Sequence, residues 1–250
     1  MKRRYYLLAL FYIGFAETGS AQTIKTIQPI NQLWLGYFNQ TRLSDKWGVW
    51  ADAHLRTKES FVNNFSQSIA RVGLTYYLTD NTKLTLGYAY VSNYAGDNHT
   101  NITQPEHRIW QQLQWHTKFP RLRLMQWVRL EEKFKHKIAD NDHLADGYVY
   151  NWKVRYNFLL NLPLTKKAFA PHSLSFVLND ELHINFGKEI VYNYFDQNRF
   201  FIGFSYHTNA RDNLQFGYMN LFQQQATGNT FKDISAARVF YFHNLDLRKR

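Results

Sequence analysis

The sequence predicts an all-β protein: an antiparallel up-and-down transmembrane β-barrel of about twelve strands, with ten strands as the alternative. Three observations lead to this fold class. The N-terminus resembles an export signal, apolar and polar residues alternate along strand-length segments, and the composition is rich in aromatic residues but poor in proline. Together they predict a porin-like protein of the outer membrane of a Gram-negative bacterium.

The N-terminus has the three parts of a secretory signal peptide. Residues 1–4 are basic, residues 5–15 form a short apolar run, and small residues at 19–21 precede a cleavage point. The apolar run is shorter than the roughly 20 residues that a membrane-spanning helix needs. We therefore predict that residues 1–21 are removed and that residues 22–250 form a single barrel domain. A buried or amphipathic N-terminal helix is the alternative.

The composition limits the classes of partner. The 17 Tyr and 20 Phe favour strands, and the absence of cysteine excludes disulfides and a lipid-anchored cysteine. A formal net charge of +11 indicates nucleic acid, anionic lipid or an anionic solute as partner. A protein that is exported from the cytoplasm is not expected to have nucleic acid as its partner. The expected partners are outer-membrane lipids and, during biogenesis, the barrel-assembly machinery; no cofactor is predicted.

Alternation with a period of two residues is the main structural signal. Residues 150–160 show it clearly, because apolar side chains occupy the even positions while Asn, Lys and Arg recur at the odd ones. Mean hydropathy is nevertheless negative, as expected when only alternate residues face lipid. The predicted strands lie near 31–43, 47–56, 65–78, 83–94, 105–118, 122–134, 148–162, 173–184, 198–207, 213–224 and 234–246.

The connections and the strand count follow from this pattern. Short turns such as 44–46 alternate with longer polar segments such as 95–104 and 135–147. This asymmetry is typical of outer-membrane barrels, with short turns in the periplasm and long loops outside. An even number of strands would place both termini on one side, so a weak strand near 23–28 is predicted to complete twelve. A soluble β-sandwich with an aromatic core is the alternative fold.

Four short segments carry a resemblance to a known family. They are PEHRIWQQL at 105–113, WVRLE at 127–131, NDE at 179–181 and NRFFIG at 198–203. On these segments the chain resembles an exported β-barrel family catalogued only as a domain of unknown function. The resemblance extends over nearly all of the mature chain. It implies an outer-membrane barrel, and it implies no reaction.

Any chemistry is expected in the lumen, where the inward positions of the predicted strands carry charged side chains. One interpretation is a ladder of ion pairs that fills and rigidifies the barrel, because buried charges need partners or water. The other is a solute path or an anion-attracting vestibule, because rings of charge set selectivity in pores. The predicted lumen network consists of Arg56, Arg71, Glu106, Arg108, Arg129, Glu131, Lys133, Arg155, Glu181 and Arg199.

The hairpin around Phe119-Pro120 allows a register hypothesis. A turn centred on these two residues places Arg108 opposite Glu131 and Glu106 opposite Lys133. Both pairs have opposite charge, whereas like charges directly opposed are unfavourable. The Arg108–Glu131 pair is expected to be the stronger, because a guanidinium can bind a carboxylate with two hydrogen bonds.

A lipid-modifying hydrolase, of the phospholipase or lipid A deacylase type, is the alternative function. Such an enzyme needs a serine nucleophile, a histidine base and a group that orients the histidine. The chain has candidate pieces but no fuller motif. The candidates are Ser205 with His207, Ser175 with Glu181 and His183, and His172 with Ser173.

A metal site receives little support from the sequence. The acidic segment at 140–147 could hold Ca²⁺, but its spacing does not fit an EF-hand and a solvated turn is the simpler interpretation. No metal site is predicted.

The location can be tested directly. We expect the mature protein, starting at residue 22, to fractionate with outer membranes and to migrate differently on gels before and after heating, as folded barrels do. Membrane fractionation and N-terminal sequencing are the measurements. Recovery of the protein as a soluble periplasmic species would contradict the prediction.

Overall fold

The computed structural model describes residues 24–96, 99–166 and 168–248, and these residues form one closed barrel of eleven strands. The predicted signal peptide lies outside the described residues. The strands are β1 Thr26–Arg42, β2 Trp47–Glu59, β3 Asn63–Tyr77, β4 Thr82–Asn93, β5 Gln104–Phe119, β6 Leu122–Ile138, β7 Leu144–Pro163, β8 Ser173–Phe186, β9 Phe195–His207, β10 Asp212–Gln224 and β11 Thr230–Asp246.

Within the described residues, no helix has the length and apolar character needed to cross a membrane.

The barrel closes through a parallel strand pair. Each strand pairs antiparallel with the next along the chain, and β1 then pairs with β11 in parallel, from Thr26 opposite Thr230 to Arg42 opposite Asp246. The prediction of twelve strands assumed an antiparallel closing pair. Instead, the segment from Thr26 to Gln28, expected in a separate weak strand, is the start of β1. An odd number of strands is compatible with closure because parallel pairing also satisfies the backbone donors and acceptors.

The connections divide between two rims. The long-loop rim holds the start of β1 and the connections 60–62, 94–103, 139–143, 187–194 and 225–229, while the short-turn rim holds the end of β11 and the connections 43–46, 78–81, 120–121, 164–172 and 208–211. The difference in length is smaller than predicted, because strands extend into the expected loops. For example, β6 continues to Ile138 and β7 begins at Leu144.

The two faces of the wall differ sharply in chemistry. On β3 and β4 the outward side chains Val72, Leu74 and Leu86 are 58%, 52% and 59% exposed, whereas Arg71 and Thr85 point inward and are buried. An apolar exterior around a polar interior is the reverse of a soluble protein and matches a barrel in lipid. The described strands form one closed sheet and not two packed sheets, so the β-sandwich alternative is wrong. The structure is therefore that of a membrane-embedded barrel.

Glycines let two large aromatic rings lie flat against the inner wall. Gly73 pairs directly with Gly87, and the Trp110 ring covers both positions; a Cβ at Gly73 would meet that ring at 3.1 Å. In the same way, a Cβ at Gly203 would lie 2.6 Å from the Phe201 ring. The contact at Gly73 would be tighter than most Cβ atoms make, and the contact at Gly203 would be closer than Cβ atoms essentially ever make. The glycines therefore let these rings pack beside the backbone, so that the rings reach less far into the lumen.

The outer face can be tested at Val154, an outward position of β7 between the buried Lys153 and Arg155. We expect Val154→Arg to lower the free energy of unfolding by about 2–4 kcal/mol if the residue lies near the bilayer midplane. Val154→Leu is the matched control and should change it little. Denaturant unfolding in lipid vesicles is the measurement. Equal tolerance of both substitutions would show that this face does not meet lipid.

Candidate functional site: the charged lumen

A cavity of about 1390 Å³ occupies the interior of the barrel. Its lining includes Asn31 and Asn185 near the long-loop rim and His116 and Asn244 near the short-turn rim. It thus receives side chains from both ends of the barrel. A barrel of about this strand number is wide enough for the interior to hold water or a small ligand.

The predicted lumen residues all lie on the inner face. Each is buried or half-buried, and all but Glu131 line the cavity. Glu131 is 1% exposed and lies beneath the arginines that surround it. The structure thus supports the inward orientation that the alternation predicted. Their role in binding stays a prediction. The residues are Arg56, Arg71, Glu106, Arg108, Arg129, Glu131, Lys133, Arg155, Glu181 and Arg199.

Glu131 is the centre of the larger ion-pair network. Its Oε1 accepts a hydrogen bond of 2.5 Å from the Arg155 guanidinium on the neighbouring strand β7. Its Oε2 lies 3.4 Å from Arg108 on β5, and its Oε1 lies 3.8 Å from Arg129, two residues away on β6. Three guanidiniums therefore share one buried carboxylate. This arrangement offsets the cost of burying that carboxylate, since a buried charge persists only when it is paired.

The network continues to both sides of Glu131. On β8, Glu181 accepts a hydrogen bond of 2.7 Å from Arg155 Nε and lies 3.6 Å from Arg199 on β9. On β5, Glu106 contacts Arg108 and lies 3.5 Å from Lys133. The ion pairs thus link five adjacent strands, β5 to β9, across the inner face of the barrel.

The predicted register of the β5–β6 hairpin is wrong by two residues. Arg108 is opposite Lys133, and Glu131 is opposite Trp110. Phe119 pairs with Leu122, so the two-residue turn is Pro120-Arg121 rather than Phe119-Pro120. Proline favours the first of the two central turn positions because its φ is fixed.

Arg108 and Lys133 have like charges and lie opposite each other, and a carboxylate that contacts both makes this pairing tolerable. Glu106 contacts both Arg108 and Lys133, so neither cation faces the other unscreened. The expected contact between Arg108 and Glu131 forms nevertheless, as a diagonal pair across the two strands.

A second, smaller cluster lies on β2 and β3. Asp52 is directly opposite Arg71, and Arg71 Nε donates a hydrogen bond of 2.8 Å to Asp52 Oδ1. His54 Nε2 lies 2.9 Å from the same carboxylate oxygen, and the Trp50 indole N–H also donates to Asp52. All four side chains are buried. Asp52 therefore has three partners from its own and the neighbouring strand.

Besides Asp52, four buried charged residues of the described chain lie outside the predicted network: Lys83, Lys153, Asp196 and Arg238. Asp196 pairs with Lys153 at 2.6 Å, Lys83 donates to the Gln40 side chain, and Arg238 donates to Gln215 at 2.7 Å. Asp196 lies beside a register shift at the start of β9, where simple alternation fails. Arg238 and Lys83 do follow the alternation, since each lies at an inward position of its strand. That alternation was the signal that could have found them.

Basic side chains greatly outnumber acidic ones on the cavity surface. Within the described part of the chain, neither Arg56 nor Arg238 makes an ion pair. The excess gives the lumen a positive character. The basic lining residues are Arg56, Lys58, Arg71, Arg108, Arg123, Arg129, Lys133, Lys135, Lys153, Arg155, Arg199, Lys232 and Arg238, and the acidic ones are Glu59, Glu106, Glu181 and Asp196.

The serines contact partners other than the expected ones, although Glu181 and His183 do meet, with His183 Nε2 3.0 Å from Glu181 Oε1. Ser175 Oγ lies 3.3 Å from His207 Nε2, whereas Ser205 donates to Asn213. Ser175 and Ser205 are buried on the inner face, away from lipid. Among the described residues, no carboxylate lies within ion-pair distance of His207. The third group that would orient the histidine base is thus missing from this pair.

In the acidic loop between β6 and β7, an aspartate side chain binds backbone N–H groups of the same turn. The Asp140 carboxylate accepts hydrogen bonds of 2.8 Å from the backbone N–H groups of Asp142 and His143. The hydrogen bond from the Asp142 backbone, together with the His143 ring, lowers the pKa of Asp140 below its ordinary value. No group of three potential metal ligands occurs among the residues that the structure describes.

The fold and the lumen define the class of this protein: a membrane-embedded β-barrel with a charged, cavity-bearing interior. The chain belongs to the family described as protein of unknown function (DUF2490), whose model matches residues 31–232. No curated protein matches the chain. Among solved structures, the NanC porin in a rhombohedral crystal form is similar at 12% identity and a TM-score of 0.47, covering 86% of this chain and 99% of the porin chain.

The Glu131 network yields a stability prediction. Glu131→Gln removes the charge shared by Arg108, Arg129 and Arg155, so we expect the free energy of unfolding to fall by about 3–5 kcal/mol, as for a broken buried pair. Glu132→Gln, next along β6 and half-buried outside the network, is the control and should cost less than about 1 kcal/mol. Urea unfolding of the reconstituted barrel is the measurement. Equal effects at the two positions would refute the central role of Glu131.

Proposed function

We propose that this protein is an outer-membrane barrel through which small anions diffuse, or in which they bind. The observation that carries the proposal is the excess of basic side chains along a cavity that receives residues from both rims. Low-dielectric walls focus the field of such charges and raise the local concentration of counter-ions. Charged rings of one sign also select ions of the opposite sign in pores.

The outer membrane is the location that supports this function best. The N-terminal sequence has the features of a cleaved export signal, and the described strands form a closed barrel with an apolar exterior. Closed barrels satisfy every backbone hydrogen bond within the wall, which is what a lipid environment requires. We infer that the partners during folding and afterwards are the barrel-assembly machinery and outer-membrane lipids.

A structural role is the second candidate, and one observation favours it. Ion pairs link five adjacent strands through Glu106, Glu131 and Glu181, and such a network rigidifies a barrel whether or not solutes enter it. The hydrolase alternative has less support. The Ser175–His207 contact lies in the lumen and lacks an orienting carboxylate among the described residues.

Ion selectivity tests the proposal. We expect the barrel in planar bilayers to conduct, with a reversal potential in a KCl gradient that indicates a preference for chloride. Lys135→Glu should shift that potential toward cation selectivity, because Lys135 lines the cavity. Lys137→Glu makes the same charge change at an exposed position outside the lining and should leave the potential unchanged.

Absence of conductance would favour the structural role, and conductance without anion preference would contradict the electrostatic argument.

A further inference from the structure

One carboxylate lies in the middle of the lipid-facing wall. Asp180 alternates on β8 with Asn179 and Glu181, which line the cavity, so its side chain points outward. The outward positions 174, 176 and 178 on one side of it and 182, 184 and 186 on the other are all apolar. The two residues directly opposite Asp180, Phe158 on β7 and Phe200 on β9, are apolar as well. An ionisable group at this depth is costly in lipid and therefore indicates a functional site.

The hydrogen-bonding capacity of Asp180 is used only in part. The Asn198 side-chain amide on β9 donates one hydrogen bond of 2.9 Å to Asp180 Oδ1, and no residue that the structure describes donates to Oδ2. An ionised carboxylate has about four acceptor sites. Hydrocarbon offers no donors for the others, so a polar group from outside the barrel would stabilise Asp180.

Another outward carboxylate, Glu132 on β6, is better supplied with donors. The Tyr150 hydroxyl on β7 donates to Glu132 Oε2 at 3.3 Å, and the Gln111 amide on β5 donates to Oε1 at 3.5 Å. Each oxygen of Glu132 thus has a donor from one neighbouring strand. Asp180 has a donor on the β9 side only, since the residue opposite it on β7 is Phe158. The unmet demand for a donor therefore lies at Asp180 rather than at Glu132.

Further polar residues extend from Asp180 across the outer face. Asn220 on β10 lies opposite Phe200, the residue that Asp180 also faces, and its amide donates to Asp233 on β11 at 2.6 Å. A tyrosine and a serine hydroxyl meet beside this pair at 3.0 Å. The result is a continuous stripe over four strands that holds carboxylate acceptors, amide and hydroxyl donors and no basic group. This outer polar patch consists of Asp180, Asn198, Tyr218, Asn220, Asp233 and Ser235.

The outer polar patch is accessible from the lipid side. Its members are half-buried or exposed, and the rings of Phe200 beside it and Tyr218 within it are 44% and 47% exposed. Side chains of a neighbouring molecule can therefore reach the Asp180 carboxylate, and the two rings add apolar contact area around it. Aromatic rings of this kind contribute much of the packing energy of interfaces.

We propose that the outer polar patch is the interface with a second copy of this chain, in which Asn198 of each barrel donates to Asp180 of the other. Copies in one membrane share an orientation, so a twofold axis between them follows the membrane normal and brings residues of equal depth together. Asp180 and Asn198 are hydrogen-bonded to each other and so lie at nearly equal depth. This assembly goes beyond the proposed function and does not depend on conduction through the lumen.

The chemistry of the patch fits a second copy better than it fits a lipid headgroup. A surface that carries both donors and acceptors is self-complementary, as a twofold interface requires. Anionic headgroups are recognised by clusters of basic side chains. The patch instead holds the two carboxylates of Asp180 and Asp233 and no basic group.

The chain contains no cysteine, so single substitutions give an unambiguous cross-linking test. Phe200→Cys places a thiol between Asp180 and Asn220, and Leu86→Cys places one at an exposed outward position of β4, on the far side of the barrel. The variants are reconstituted at a high ratio of lipid to protein, treated with a short thiol–thiol cross-linker and separated on non-reducing gels. We expect a dimer as the main product of Phe200→Cys and a trace of dimer from Leu86→Cys.

Asp180→Leu separates assembly from folding. Leucine is compatible with lipid, so the variant barrel should fold, and heat-modifiable gel migration verifies this. We expect its dimer dissociation constant, measured by sedimentation equilibrium in detergent, to rise at least about tenfold through loss of charged hydrogen bonds. Glu132→Leu makes the same change at the outward carboxylate of β6 and should leave the dissociation constant unchanged.

A native protein that sediments as a monomer would overturn the inference, and a lipid retained by that monomer would assign the outer polar patch to the lipid. Equally efficient cross-linking at residues 200 and 86 would overturn it too, as would an unchanged dissociation constant in the folded Asp180→Leu variant. A dimer is compatible with either result of the conductance measurement, so the two proposals fail separately.

Discussion

Closure of the wall by the β1–β11 pair is the constraint on which the rest of the structure depends. In lipid, an open sheet edge would leave a row of backbone donors and acceptors without partners. The pairing runs along the full length of both strands, so no such edge remains in the described barrel. Only a closed wall separates two environments, and only that separation gives the period-two alternation its meaning: one set of side chains meets lipid and the other meets the lumen.

The enclosed lumen then imposes its own demands. Charges placed inside need partners, and cross-strand geometry supplies them by direct pairs such as Asp52–Arg71 and by diagonal ones such as Arg108–Glu131. These contacts account for the acidic residues of the interior and for part of the basic ones. The remaining guanidiniums stack on aromatic rings, as Arg238 does on Phe201 at 3.4 Å. The carboxylates of the interior are thus paired, whereas some of its guanidiniums contact aromatic rings instead of carboxylates.

The sequence was sufficient for features that depend on local periodicity. It predicted the fold class, an approximate position for each strand and the inward direction of residues such as Glu131 and Arg155, because neighbouring residues alternate faces in any strand. The sequence was insufficient for features that depend on contacts between distant parts of the chain. The parallel closure and strand number depend on how β1 meets β11, and the β5–β6 register depends on which residues form the turn at Pro120. Asp196 escaped prediction because a register shift interrupts the alternation there.

The odd number of strands has a consequence for sidedness. Each strand runs once from one rim of the barrel to the other. With eleven strands, Thr26 therefore lies at one rim and Asp246 at the opposite rim. In a membrane, a tag joined to the start of β1 and a tag joined to the end of β11 would face different compartments. Antibody or protease added to intact cells would reach one tag and spare the other, whereas a barrel with an even strand count would expose both or neither.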